Sequence, residues 1–240
     1  MRFFFPIRLV CAGLAFFGTV LPLKAQGGAA AFFETIDWSI RGSMLFFPED
    51  NGNASAPMPI LPSLGGGASY SVNDLLALEL SLDLYGNTYD YDYGLKRVVP
   101  ANDEFRSSFV TGMVWGLQPV FRFRPRGDAF IIRAYGGLGF DTRIVFRAYG
   151  IKSDEDHTNS SGPTGYTVGD ASKEVTRYFW GGGRWVFPFA GGGMDFNVLD
   201  GILLGFDIRA WFPVWRLWTG ENLPPIEGFR FGLGFRVTFQ

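Results

Sequence analysis

Gly228-Phe229-Arg230-Phe231-Gly232-Leu233-Gly234-Phe235-Arg236-Val237-Thr238-Phe239-Gln240 closes the chain, and its reading decides the fold. Phe229, Phe231, Leu233, Phe235, Val237 and Phe239 alternate with Gly, Arg or Thr. Strand side chains repeat every two residues, so one face is wholly apolar and the other polar and small. In a soluble sandwich the large face would meet a core. In a transmembrane barrel it meets lipid, and the Gly/Arg/Thr face meets a polar lumen.

The opposite end reads as an export signal. Arg2 and Arg8 supply positive charge, Leu9 to Leu23 form an apolar run, and Lys24-Ala25 precede the small residues Gly27 to Ala31. This divides the chain into a signal over residues 1–25, cleaved between 25 and 31, and a barrel over 32–240. A transmembrane anchor fits less well, because the run is short and contains Pro22. Cys11, the sole cysteine, lies inside the signal with Val10 before it, where a lipoprotein site wants a small residue. Its removal excludes disulfides, thiolate catalysis and Cys-ligated metals from the mature chain. The formal net charge of −2 argues against a nucleic-acid partner. Aromatics at 18% and 33 glycines suit membrane interfaces and close strand approach. No mature segment reaches ~18 uninterrupted apolar residues, which excludes transmembrane helices.

The alternation predicts eight strands, an all-β, antiparallel up-and-down transmembrane barrel. They span about 34–47, 63–72, 76–85, 105–124, 129–147, 175–198, 202–214 and the terminal segment. The third is the clearest: Leu76, Leu78, Leu80, Leu82 and Leu84 face one way, and Ala77, Glu79, Ser81 and Asp83 the other. Asn73-Asp74-Leu75, Arg126-Gly127 and Leu199-Asp200-Gly201 read as hairpin connections. Long Gly/Pro/Asn/Asp/Ser-rich loops occupy 48–62, 87–104, 148–174 and 215–227. Short turns at one end and long loops at the other imply periplasmic turns, extracellular loops and periplasmic termini.

These turns also predict registers. A turn at Arg126-Gly127 pairs Phe123 with Phe130 and sets Asp141 opposite Gly112. A turn at 199–201 pairs Val198 with Ile202, Met194 with Phe206, Arg209 with Gly191 and Asp207 with Gly193. A slip of one residue would put charge into lipid.

The inward positions carry the candidate site, a lumen network of Arg41, Glu79, Asp83, Arg133, Asp141, Arg143, Asp207, Arg209 and Arg230. Eight strands enclose an interior that side chains can fill. These groups must pair, because an unpaired buried charge costs several kcal/mol. Arg41 and Arg133 are the nearest partners for Glu79 and Asp83. A structural network that plugs the barrel is the bland reading, and a narrow gated path along the Arg-rich wall the sharper one.

Pro188 and Pro213 fall almost opposite each other between the sixth and seventh strands. Proline cannot donate to a ladder, so they mark either the place where the strands leave the membrane or a lateral opening. Trp180, Trp211, Phe212 and Trp215 cluster nearby as interface anchors or exit lining. His157, the sole histidine, sits in Lys152-Ser153-Asp154-Glu155-Asp156-His157-Thr158. A His with Ser and a carboxylate could serve lipid-modifying catalysis at the outer rim, but adjacent positions on a loop do not preset that geometry. The acidic cluster lacks calcium-loop spacing, so no metal or cofactor site is expected.

The terminal strand resembles the C-terminal targeting strand of bacterial outer-membrane barrels, with Gln240 after the customary final aromatic. Leu117-Gln118-Pro119-Val120-Phe121-Arg122-Phe123, followed by Ile132-Arg133-Ala134-Tyr135-Gly136-Gly137-Leu138-Gly139-Phe140, is similar to the hairpin around the PYxGxGxG stretch of small barrels. The chain thus resembles the OmpA, OmpX and OmpW type. An OmpW-like role implies passage of small apolar molecules; an OmpA- or OmpX-like role implies adhesion or envelope integrity. The reading is a non-enzymatic surface or structural barrel, or one that admits small solutes. The alternative is a lipid-modifying enzyme using His157. The expected partners are outer-membrane lipids, lipopolysaccharide and the barrel-assembly machinery, with the protein a monomer.

Overall fold

The structure is a computed structural model that describes residues 35–48, 60–92, 94–101, 108–125, 129–146, 168–221 and 226–240. Eight long strands form the wall: β1 (Ile36–Phe46), β2 (Ile60–Ser71), β3 (Leu76–Asp92), β5 (Ser108–Phe123), β6 (Phe130–Phe146), β7 (Val186–Leu199), β8 (Ile202–Trp211) and β9 (Arg230–Phe239). Each pairs with its sequence neighbour, and β9 pairs with β1, so the sheet closes on itself. The short β4 (Arg97–Pro100) adds to the far end of β3.

The polarity is the reverse of a soluble protein. On β9 Phe235 is 74% exposed, while the adjacent Arg236 is 6% exposed. On β8 the contrast is Ile208 at 58% against Arg209 at 2%. An apolar belt outside, charge inside and a closed ring without free edges are what a bilayer demands of a strand protein. The fold is therefore an eight-stranded antiparallel transmembrane barrel.

Several boundaries and registers differ from expectation. The sixth strand does not begin at 175: residues Val168–Trp180 form helix α1, and Gly181–Gly183 a 3-10 turn, before β7 starts at Val186. Val175, Tyr178 and Phe179 repeat at helical spacing, and their burial against the wall outweighs continuation of the strand. The expected loop from 87 instead extends β3 to Asp92, which hairpins into β4; Lys96 is at φ +54 in this tight return. The second strand starts earlier than expected, at Ile60, and the seventh ends earlier, at Trp211.

The turn at Arg126-Gly127 lies outside the described residues, and the strands on either side of it do not keep the register expected of a two-residue turn. Phe123 pairs with Ile132, so Asp141 stands opposite Val114 and Arg143 opposite Gly112. A slip of two residues keeps every side chain on its face, so alternation alone does not detect it. At the other hairpin Leu199, not Val198, meets Ile202, with an irregularity between Asn197 and Leu199. Gly201 closes this turn at φ +78, a region that favours glycine. Beyond the irregularity, Met194–Phe206, Gly193–Asp207 and Gly191–Arg209 pair as expected.

Candidate functional site: the lumen and its mouth

The lumen fills with ion pairs in layers. Nearest the short turns, Arg236 bridges Glu79 at 3.0 Å and Asp195 at 2.9 Å. Arg133 lies 2.7 Å from Asp195, not against Glu79 or Asp83 as expected. Gln118 donates to Glu79 at 2.9 Å. Midway, Asp83 holds Arg209 at 2.5 Å and Arg41 at 3.2 Å. Arg41 also reaches Glu79 at 3.4 Å and Asp207 at 3.7 Å, joining the two layers. Tyr135 donates to Asp207 at 2.9 Å. Toward the long loops, Asp141 receives Arg143 at 2.7 Å, Arg230 at 2.5 Å and the Tyr85 hydroxyl at 2.9 Å.

Glycines give these large groups room. A Cβ at Gly193 would overlap the Phe206 carbonyl and press on Asp207; one at Gly112 would overlap the Tyr85 ring. Carboxylates shared by two arginines suit a dry interior, since a guanidinium fork can satisfy two acceptors at once. The deeper layers balance in charge: Arg41, Arg133, Arg209 and Arg236 stand against Glu79, Asp83, Asp195 and Asp207.

Helix α1 closes the long-loop end. Val175 and Phe179 are buried among Tyr89, Val98 and Val110. The Ser172 and Ser108 hydroxyls bond at 2.7 Å, and the Phe179 ring lies 3.9 Å from the Arg143 guanidinium. Two further ion pairs tie the mouth together: Arg97 with Glu227 at 2.5 Å, and Arg184 with Glu221. Below them is a cavity of about 40 Å³, bordered by Arg143, Arg230, Glu227, Trp215, Phe179 and Phe187. A second, of about 10 Å³, opens at the short-turn end beside Arg122 and Asp37.

Strand phase places Arg41, Glu79, Asp83, Arg133, Asp141, Arg143, Asp207, Arg209 and Arg230 inside, and all are buried there. Asp195 and Arg236, inward by the same alternation, pair within it, and the expected network omits the uncharged Tyr85, Tyr135 and Gln118, although their inward phase is readable. Glu221, Glu227 and Trp215 carry no such signal, since they lie beyond the strands. His157 and its acidic neighbours lie outside the described residues.

The two prolines sit where the ladder between β7 and β8 ends. Pro188 pairs with Leu138 of β6, and β8 stops at Trp211. The Phe212 amide still donates to the Pro188 carbonyl at 2.8 Å. Pro188 cannot return that bond, and the Val214 amide fills the Phe212 carbonyl instead, at 2.9 Å. The chain then turns into the short helix α2 (Arg216–Thr219). Trp211 is buried within the barrel, its ring 4.9 Å from the Arg209 guanidinium, so it anchors no interface.

No family model matches the sequence, and no curated protein matches it. Among solved structures, Neisserial surface protein A is 12% identical, with 85% of this chain and 96% of that one covered and a TM-score of 0.47. OprG from Pseudomonas aeruginosa is 12% identical over 85% and 96%, with a TM-score of 0.45. Ail, the attachment invasion locus protein of Yersinia pestis, is 10% identical over 85% and 95%, with a TM-score of 0.44.

Proposed function

We propose that the chain is an outer-membrane barrel with a non-catalytic surface or structural role and a lumen closed to solutes. The long loops and α1 face outward, and both termini lie in the periplasm. The apolar belt meets lipid and lipopolysaccharide, and the C-terminal strand engages the barrel-assembly machinery.

One observation carries this reading: buried ion pairs cross the lumen at successive heights, from Arg236 through Arg41 and Asp83 to Arg230. A hydrated ion would have to break several buried pairs in succession, each at a cost of several kcal/mol. The seam beside Pro188 is bonded as far as Phe212, which favours strands leaving the membrane over a lateral exit.

Planar-bilayer recording of the purified barrel tests the closure. The expected trace shows no stable conductance steps. Steps of nanosiemens size would overturn the closed lumen and restore the gated path along the Arg wall.

A further inference from the structure

The apolar surface does not stop where the strands stop. Among the described residues Leu217 of α2 is the most exposed large apolar side chain, at 85%, and its neighbour Trp218 is 58% exposed. Trp215, two positions earlier, is buried and borders the mouth cavity. At 3.6 residues per turn, two positions rotate a helix by about 200°. Leu217 therefore lies on the face of α2 that points away from the mouth.

Height decides what lies on that side. β8 has 10 residues, and about 9–11 tilted residues cross the apolar core of a bilayer. The strand thus reaches the edge of the hydrocarbon at Trp211, and α2 follows at the level of the headgroups. The wall carries its own mark near this height. Just beyond the Phe189–Trp211 pair, Trp185 stacks on Phe140 at 6.0 Å, and such rings collect where hydrocarbon gives way to headgroups. The apolar belt also runs on toward α2 without a break in its rings. Phe231 of β9 stacks on Phe229 at 6.4 Å, and Phe229 meets Phe212 edge to face at 5.9 Å.

We propose that α2 is a lipid-docking element. Leu217 enters among the acyl chains of the leaflet at the long-loop end, and Trp218 lies at their boundary with the headgroups. The occupant is lipid because the patch continues the belt that the bilayer already covers; apolar surface of this kind left in water is a liability. Docking has a consequence for the mouth. Trp218 Nε1 donates to the Gly182 carbonyl at 2.8 Å, in the 3-10 turn between α1 and β7. Arg216 Nη1 donates to the Glu227 carbonyl at 3.3 Å, on the segment that leads into β9. Through these two bonds the membrane surface braces both sides of the mouth.

Fluorescence quenching in phosphatidylcholine nanodiscs tests this. Cys11 is the sole cysteine, so in a Cys11→Ser chain one fluorophore can be attached at Leu217→Cys. Leu233→Cys serves as the reference within the belt and Arg177→Cys, with its side chain 76% exposed on α1, as the reference in water. Nitroxides on the lipid near the headgroup should quench the label at 217 at least about twofold more than the label at 177, and aqueous iodide should quench it less. The label at 233 should respond most to nitroxides deep in the acyl chains. Unlabelled Leu217→Asp gives a second readout: amide exchange over 214–219 in nanodiscs should rise at least about threefold while β8 stays protected. Gel mobility before and after boiling verifies the fold of every variant. A label at 217 as open to iodide as that at 177, or unchanged exchange in Leu217→Asp, would overturn the proposal. So would shielding from iodide without quenching by lipid, which would seat a second copy of the chain on α2.

Discussion

Asp83 shows why the lumen needs its residues as they are. It is 1% exposed and accepts from two guanidiniums, Arg41 and Arg209. Replacing it with Asn leaves both cations short of a counter-charge in a space too full for water. The expected loss is about 3–5 kcal/mol in urea unfolding, while Asp83→Leu combined with Arg209→Met should recover part of it. A loss well below about 1 kcal/mol would show that water reaches this layer. At this scale the sequence is informative about direction but not about partner. Strand phase assigns Arg133 to the interior. Its meeting with Asp195 instead of Glu79 follows from where β6 and β7 stand around the closed ring.

Helix α1 is the element the alternation does not foresee. Its residues include Val175, Tyr178 and Phe179, which also fit the start of a strand when joined to the alternation of 186–198. Only the wall against which they pack makes them a helix: Tyr89, Val98 and Val110 come from β3, β4 and β5. Tyr89 and Phe179 meet edge to face at 5.1 Å, and the whole contact depends on β3 running on to Asp92. Val175→Ala combined with Phe179→Ala should therefore detach the helix without opening the ring of strands. Limited proteolysis should then cut within 168–185, while the barrel core stays protected. Equal resistance in the double variant would mean that other contacts hold the mouth shut.

For the molecule as a whole, closure of β9 onto β1 accounts for the burial of every charged layer, since one ring of strands surrounds them. Such a ring should resist detergent when cold and yield only on heating. The purified protein is expected to migrate faster on a gel unboiled than boiled, and to fractionate with outer membrane. A single band at one position in both samples, or a soluble product, would refute the barrel.

The division between sequence and structure comes from the range of the interactions involved. Alternation is a local property, set by the two-residue period of a strand and by the environment on each side of it. Phe229 to Phe239, Leu76 to Leu84 and the turns near 73 and 200 were therefore sufficient for the strand count, the inside-out polarity and the set of buried charges. An even register slip leaves that pattern unchanged, so the true pairing of Phe123 with Ile132 came only from the folded sheet. The partners of Asp83 lie on β1 and β8, and the cavity joins Trp215, Glu227 and Arg230 with the underside of α1. Those meetings depend on the closed ring and on a helix with no strand period to announce it. Tertiary structure alone decided them, because charge pairing and burial act through space and not along the chain.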